Sequence, residues 1–369
     1  MNRKILAALL MMPLLPAAAA QAAPTLARAT AAAVAVRVAE GMGSVQGTPA
    51  VSEGTLASAE SAVMGVDAMP PGPAAAGLTG TAPADVVVMH GRFTDHGAEV
   101  PRGVAAPTGT VLELAVDASG RVVARHLADP FAPTAAAKAA RTRRRARAAQ
   151  TSTWPCGDEK EHLEHCYAVA IWEMPRTTEK IRGSEAQIET TEMFVPEPAQ
   201  VSFVDNEEWL SFPERINANG PWWIEAGQTA GGFQPDPSRQ MVWFWAYNNA
   251  SGYHEGNPGW PEEGWVFHTY SMQSQLNGSW CVSVDGGSAG CVGGLLNYAK
   301  DAEVGGEYAT PWQPANNMYD QVNYTSAGGA VKTWPRAEWF NSKTTCTEGF
   351  SRESPPHYYA GNVRTWVPC

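Results

Sequence analysis

Long apolar runs are scarce in this chain of 369 residues. Beyond the first 22 residues nothing approaches the roughly 18 uninterrupted apolar positions that a membrane-crossing helix needs. Cysteine is absent before Cys156 and tryptophan before Trp154, and the aromatics of the front part are Phe93 and Phe131 alone. No Cys-x-x-Cys pair occurs, which excludes dithiol redox chemistry of the usual spacing. Neither a phosphate-cradling glycine loop opening a helix nor a serine at a strand-to-helix elbow is legible. Basic residues are outnumbered, 26 against 37 acidic, for a net charge of −11. A chain so acidic, without an extended basic and aromatic surface, is a poor partner for nucleic acid, and it lacks a polybasic strip for anionic membranes.

What is present divides the chain. Residues 1–22 combine a short cationic start, an apolar core and a small-residue stop (Ala20, Gln21, Ala22). This is the form of a secretory signal peptide, and it predicts a secreted protein, extracellular or periplasmic, with no membrane insertion after signal removal. Residues 23–152 read as a prosegment. Its first part, 23–80, is mostly alanine, glycine, valine, threonine and proline. It offers too little large apolar surface to offset the ordering entropy, so disorder or a loose packing is expected there. At 85–126, DVVVMHGRF and GTVLELAVDASGRVVARH read as short strands, the second run turned by Asp117–Gly120; they would either pack on the second domain or form a small β module within the prosegment. The arginines of 141–147 form a basic linker, readable as a maturation site or as a solvated connection.

From residue 153 to 369 the composition changes, for all 14 tryptophans and all six cysteines fall there. Cys156, Cys166, Cys281, Cys291, Cys346 and Cys369 predict three disulfides in an exported chain. Small loops close at least entropic cost, which favours pairing neighbours in that order, among fifteen arrangements. Short aromatic runs recur between Gly-, Pro- and Asn-rich turns, and predict an all-β fold, an antiparallel β-sandwich of jelly-roll or concanavalin-like kind.

Alternation along Trp222–Gln228 sends Trp222, Ile224 and Ala226 to a core and sets Trp223 and Glu225 on the other face. A carboxylate desolvated by such neighbours should hold its proton to higher pH, which suits acid–base work. An exposed glutamate on a wet strand face is the plainer alternative. Glu307 follows two glycines in a strand-like run, and Glu303 shares its face unless the glycines introduce a bulge. Both faces of Val242–Tyr247 carry large side chains, so one could line a groove, with a second apolar sheet face as the simpler alternative. The proposed substrate groove comprises Trp223, Trp243, Trp245, Tyr253, Gln273 and Tyr308, with His254 nearby. His162 and His165, flanked by Glu161 and Glu164, read as a hydrated loop rather than a zinc site. No metal and no cofactor is expected.

The C-terminal domain resembles the neprosin-like glutamic peptidases. The resemblance rests on WWIEAGQTAG at 222–231, FWAYNNASGY at 244–253 and EVGGEYATP at 303–311, and spreads over roughly 155–368. It implies a β-sandwich, a catalytic pair formed by Glu225 and Glu307, a polypeptide substrate and acid-active endopeptidase chemistry. Two rival readings stand beside it. One is a polysaccharide-binding or glycan-hydrolysing sandwich, whose tryptophans would stack on sugar rings and whose carboxylates would cleave glycosidic bonds. The other is a noncatalytic surface protein, in which the two glutamates need not meet.

Overall fold

The computed structural model describes residues 22–66, 80–95, 97–98, 100, 106–131, 166–173, 180–190, 203–231, 242–259, 266–308, 316–333, 338–341 and 363–366. Residues 1–21 of the expected signal peptide (1–22), the basic linker at 141–147, His162 and His165 lie outside them. So do Cys156, Cys346 and Cys369, whose pairings stay as expectations. No helix of the described residues is long and apolar enough to cross a membrane.

The fold is an antiparallel β-sandwich. Among the described residues its large sheet has eleven strands. The N-terminal half of the chain supplies β1 (Gly43–Thr55), β2 (Pro83–Thr94), β3 (Thr108–Asp117) and β4 (Val122–Ala128). To these the sheet adds β5 (Cys166–Glu173), β7 (Phe203–Asn217), β8 (Gly220–Gly231), β9 (Val242–Asn249), β10 (Gly252–Gly259), β14 (Asp301–Tyr308) and β17 (Glu338–Asn341). The spatial order is β1-β2-β3-β4-β10-β9-β8-β7-β14-β5-β17. The smaller sheet runs β13 (Gly287–Val292), β12 (Trp280–Val284), β11 (Phe267–Ser274), β6 (Ile181–Glu189), β15 (Asn316–Ser326), β16 (Val331–Thr333), with β18 (Val363–Trp366) also paired to β15.

Between the sheets lies one core. Ile224, Ala226, Trp245 and Tyr247 of the large sheet meet Ala186, Tyr270 and Met272 of the small one. Cys281 and Cys291 sit opposite each other on β12 and β13 and form the expected disulfide. The hairpin between these strands turns through Asp285 (φ 51°) and Gly286 (φ 75°). The run from Gly286 to Gly290 spells Gly-x-Ser-x-Gly, yet Ser288 is exposed in a hairpin with no helix behind it, so it is no nucleophile elbow.

The front of the chain departs from expectation. Residues 22–66 are not loose: they form α1 (Ala22–Met42), β1 and α2 (Leu56–Met64). Along α1 the buried positions are Ala31, Val34, Ala35, Val38, Ala39 and Met42, a helical stripe of small residues that lies close on the sheet. Tertiary burial supplies what the segment's own composition could not. The α2 helix begins with a capping box, in which the Ser58 amide donates to Thr55 Oγ1 and the Thr55 amide donates to Ser58 Oγ. It packs on the opposite face of the large sheet from α1.

The strands expected at 85–126 are β2, β3 and β4, turned at Gly120 (φ 85°) where Asp117 Oδ1 accepts from the Ser119 amide. They do not form a separate module. Main-chain pairing of β4 with β10, from Ala128↔Gly252 to Ala124↔Gly256, makes one sheet across the boundary drawn from composition.

Candidate functional site

On the face of the large sheet that carries α1, alternation gathers acids. Along β7, Asp205 and Glu207 point to the same side as Phe203 and Trp209; β8 adds Glu225, β14 adds Glu307 and β10 adds Glu255. All five are fully buried. A single cross-strand row runs Arg125 (β4), Glu255 (β10), Ala246 (β9), Glu225 (β8), Trp209 (β7), Glu303 (β14). The small Ala246 stands between the two glutamates in this row. One step along the strands, Gly227 lies opposite Glu207. A Cβ on Gly227 would fall 2.2 Å from the Asn206 carbonyl oxygen and 2.6 Å from Glu207 Cβ, so only glycine lets these strands approach.

Glu225 and Glu307 therefore share one face, on strands flanking β7. The β14–β5 ladder runs unbroken from Asp301 to Tyr308, so the paired glycines introduce no bulge between those strands and Glu307 stays in phase with Glu303. Burial pushes the Glu225 carboxyl well above the usual carboxylate range; the negative charges of Glu307, Asp205 and Glu255 push it further, and the Trp223 side chain offsets a little. Asp205 is raised for the same reason, burial first and then Glu307. The Glu307 amide donates to Asp205 Oδ1 at 2.8 Å. Asp205, Glu207 and Glu307 each offer an oxygen within 4.8 Å of the others, a set that could hold a cation. Protons answer the same need, and the raised Asp205 and Glu225 fit a cluster that shares them.

The acids are buried because the front of the chain covers them. Beyond β2, Ala98 and Val100 are buried in the cluster that also holds Trp209, Trp223 and Tyr253. The Val100 amide donates to Glu307 Oε2 at 2.9 Å. Arg125, itself fully buried, reaches Asp95 Oδ2 at 2.7 Å and donates from Nε to Glu255 Oε2 at 3.0 Å and from Nη2 to the Gly97 carbonyl at 3.0 Å. Tyr253 donates its hydroxyl to the same Glu255 oxygen.

Of the expected groove residues, Trp223 and Tyr253 stand on this face, their rings 6.1 Å apart. Trp243 and Trp245 do not. They point between the sheets, Trp245 stacked on Tyr247 and Trp243 edge-on to His268, because the groove-side phase of β9 is Phe244, Ala246 and Asn248. Gln273 also lies elsewhere, on β11 of the small sheet, donating to Thr325 Oγ1 at 3.2 Å, in antiphase to the core residue Met272. His254 faces away from the acids, stacked between His126 and Tyr247, with Nδ1 2.9 Å from the Val63 carbonyl oxygen. Gln228 likewise reaches the small sheet, donating to the Ile188 carbonyl. The side chain of Tyr308 and residues Trp260 and Trp265 lie outside the described ones. Sequence reading missed Asp205, Glu207, Glu255 and Arg125. The signal for the first two was present: carboxylates at alternate positions of a strand, in phase with Phe203 and Trp209.

No family model and no curated protein matches the sequence. Among solved structures, a β-glucanase from Bacillus licheniformis is 12% identical with a TM-score of 0.27, covering 64% of this chain and 96% of its own. LamAcat from Zobellia galactanivorans is 11% identical with a TM-score of 0.25, and an endo-β-galactosidase from Clostridium perfringens is 12% identical with a TM-score of 0.28. They cover 37% and 68% of this chain, and the chain spans 57% and 52% of theirs. At such scores the likeness carries no argument about activity, and the assignment of a β-sandwich stands on the strand order itself.

Proposed function

We propose that the acidic face of the large sheet is the active site of an exported, acid-active endopeptidase of neprosin-like kind, with Glu225 and Glu307 as its catalytic pair. The observation that carries this reading is the Val100 amide on Glu307 Oε2: a main-chain N–H already occupies the carboxylate that a peptide substrate would meet. In the reaction, ionised Glu307 takes a proton from water as the water oxygen attacks the peptide carbonyl carbon. Glu225, held protonated by burial and by its acidic neighbours, gives its proton to the carbonyl oxygen. Collapse of the tetrahedral species breaks the C–N bond, returns the proton from the oxygen to Glu225, and passes the proton from Glu307 to the departing amine. Asp205, beneath the Glu307 amide, positions that strand.

Two consequences bear on the assay. Activity requires Glu225 protonated and Glu307 ionised, so it is bell-shaped in pH and falls as pH rises through the pKa of Glu225. It also requires displacement of Asp95, Gly97, Ala98 and Val100, which fits the reading of the front of the chain as a prosegment. Acidified full-length protein is expected to cleave a denatured protein substrate, and Glu225→Gln or Glu307→Gln to reduce the rate at least about a hundredfold. Cleavage unchanged in both variants would refute the pair.

A glycan is the second reading, favoured by Trp209 and Trp223, whose indoles share the face of the acids and could stack on sugar rings. Reducing-sugar release from a soluble β-glucan, abolished by the same two substitutions, would decide for it.

A further inference from the structure

We propose that Glu255 with Tyr253 forms a subsite for a cationic side chain of the substrate, preferentially arginine, and that Arg125 fills this subsite in the intact chain. The inference rests on the peptidase reading and adds its specificity. The groups come from the two halves of the molecule. Glu255 and Tyr253 lie on β10, whereas Arg125, Asp95 and Gly97 belong to the front segment. Arg125 places its guanidinium on Glu255 Oε2 through Nε and Nη2 and stands 5.7 Å from the Tyr253 ring centre, an aromatic face suited to a planar cation. Tyr253 donates to the same carboxylate oxygen and so fixes its orientation.

Displacing Ala98, Val100 and β4 to open the groove also withdraws Asp95 and Arg125. Glu255 then keeps the Tyr253 hydroxyl but loses its cation, on the face that carries the Tyr253 and Trp223 rings. A buried carboxylate without its cation is costly, and a guanidinium restores the pairing. The position relative to the reaction follows from the register. Glu255, Ala246 and Glu225 are consecutive partners across β10, β9 and β8. Two strand spacings, about 10 Å, separate Glu255 from Glu225, or about three residues of an extended peptide. The preferred arginine therefore falls at one fixed position about three residues from the cut bond.

Two measurements on the full-length chain test this. In the first, Arg125→Ala protein is melted with and without methylguanidinium, with methylurea as the uncharged match. A rise of several degrees with methylguanidinium only, lost in Arg125→Ala/Glu255→Gln, is expected; equal response to the two probes, or none, overturns the pocket. Should Arg125→Ala fail to fold, Arg125→Met is melted in its place. In the second, cleavage sites in a denatured protein are mapped at acidic pH by mass spectrometry. Enrichment of arginine over glutamine by about tenfold at one position is expected, collapsing towards unity in Arg125→Gln/Glu255→Gln. Cleavage without positional enrichment overturns the substrate role. Absence of any cleavage refutes the peptidase reading instead, and with it the substrate role, while the melting result still decides whether the pocket takes a guanidinium.

Discussion

At the scale of single residues, the chemistry of the site depends on which side of a strand a side chain takes. Trp223 and Glu225 are legible as a pair because Ile224 and Ala226, between and beside them, are small or aliphatic and go to the core. On β9 the same reasoning gives no answer, since Trp243, Phe244, Trp245 and Tyr247 make both phases look apolar; only the packing of the second sheet shows that the tryptophans are core. Arg125 and Glu255 are 130 positions apart, and neither carries a local signal for the other. Gly227 is the residue whose removal is easiest to predict. Its replacement by alanine drives a methyl into the Asn206 carbonyl and Glu207, and should cost about 1–3 kcal/mol in chemical denaturation, with loss of cleavage as β7 and β8 part. A variant as stable as the parent would show that the strands separate freely there.

At the scale of elements, the front helices show where composition misleads. The stripe of small residues along α1 is periodic enough to be read as a helix, but an isolated alanine- and valine-rich segment gives no hint of the sheet that will cover it. The α2 helix is short and depends on its ends. Thr55 caps its start, and at its other end the Tyr247 hydroxyl and the His254 ring meet the carbonyls of Met64 and Val63. Thr55→Ala should destabilise the protein by about 1 kcal/mol, read from the urea midpoint at unchanged slope. No change would mean that α2 is held by its carboxyl end alone.

At the scale of the whole molecule, the balance of buried acids sets the response to pH. Burial raises Glu60 to about 8 and lifts Glu208, Glu225 and Asp205 well above their ordinary values. A carboxyl whose pKa is higher folded than unfolded binds more protons in the folded state. Its contribution is complete below the unfolded value, 4.5 for the glutamates and 3.8 for Asp205, and is lost as pH climbs through the folded one. His254 acts oppositely: burial and His126 lower it, so it opposes folding as pH falls below its unfolded value of 6.5. With several acids against one histidine, the melting temperature should be higher near pH 5.5 than near pH 8, and Glu60→Gln should flatten part of that slope. Melting temperatures that rise with pH over this range would contradict the burial of these groups.

The pairing of β4 with β10 gives this protein a seam without a covalent bond of its own. A protease cutting between residues 131 and 155, ahead of Cys156, would sever the chain yet leave the two pieces zipped by main-chain hydrogen bonds, migrating as one particle until a denaturant separates them. Once the front piece departs, β10 becomes a bare margin with unsatisfied amides and carbonyls. The freed protein should then be prone to capture any extended chain that reaches that margin, its own discarded piece included, so a large excess of that piece added back should silence it.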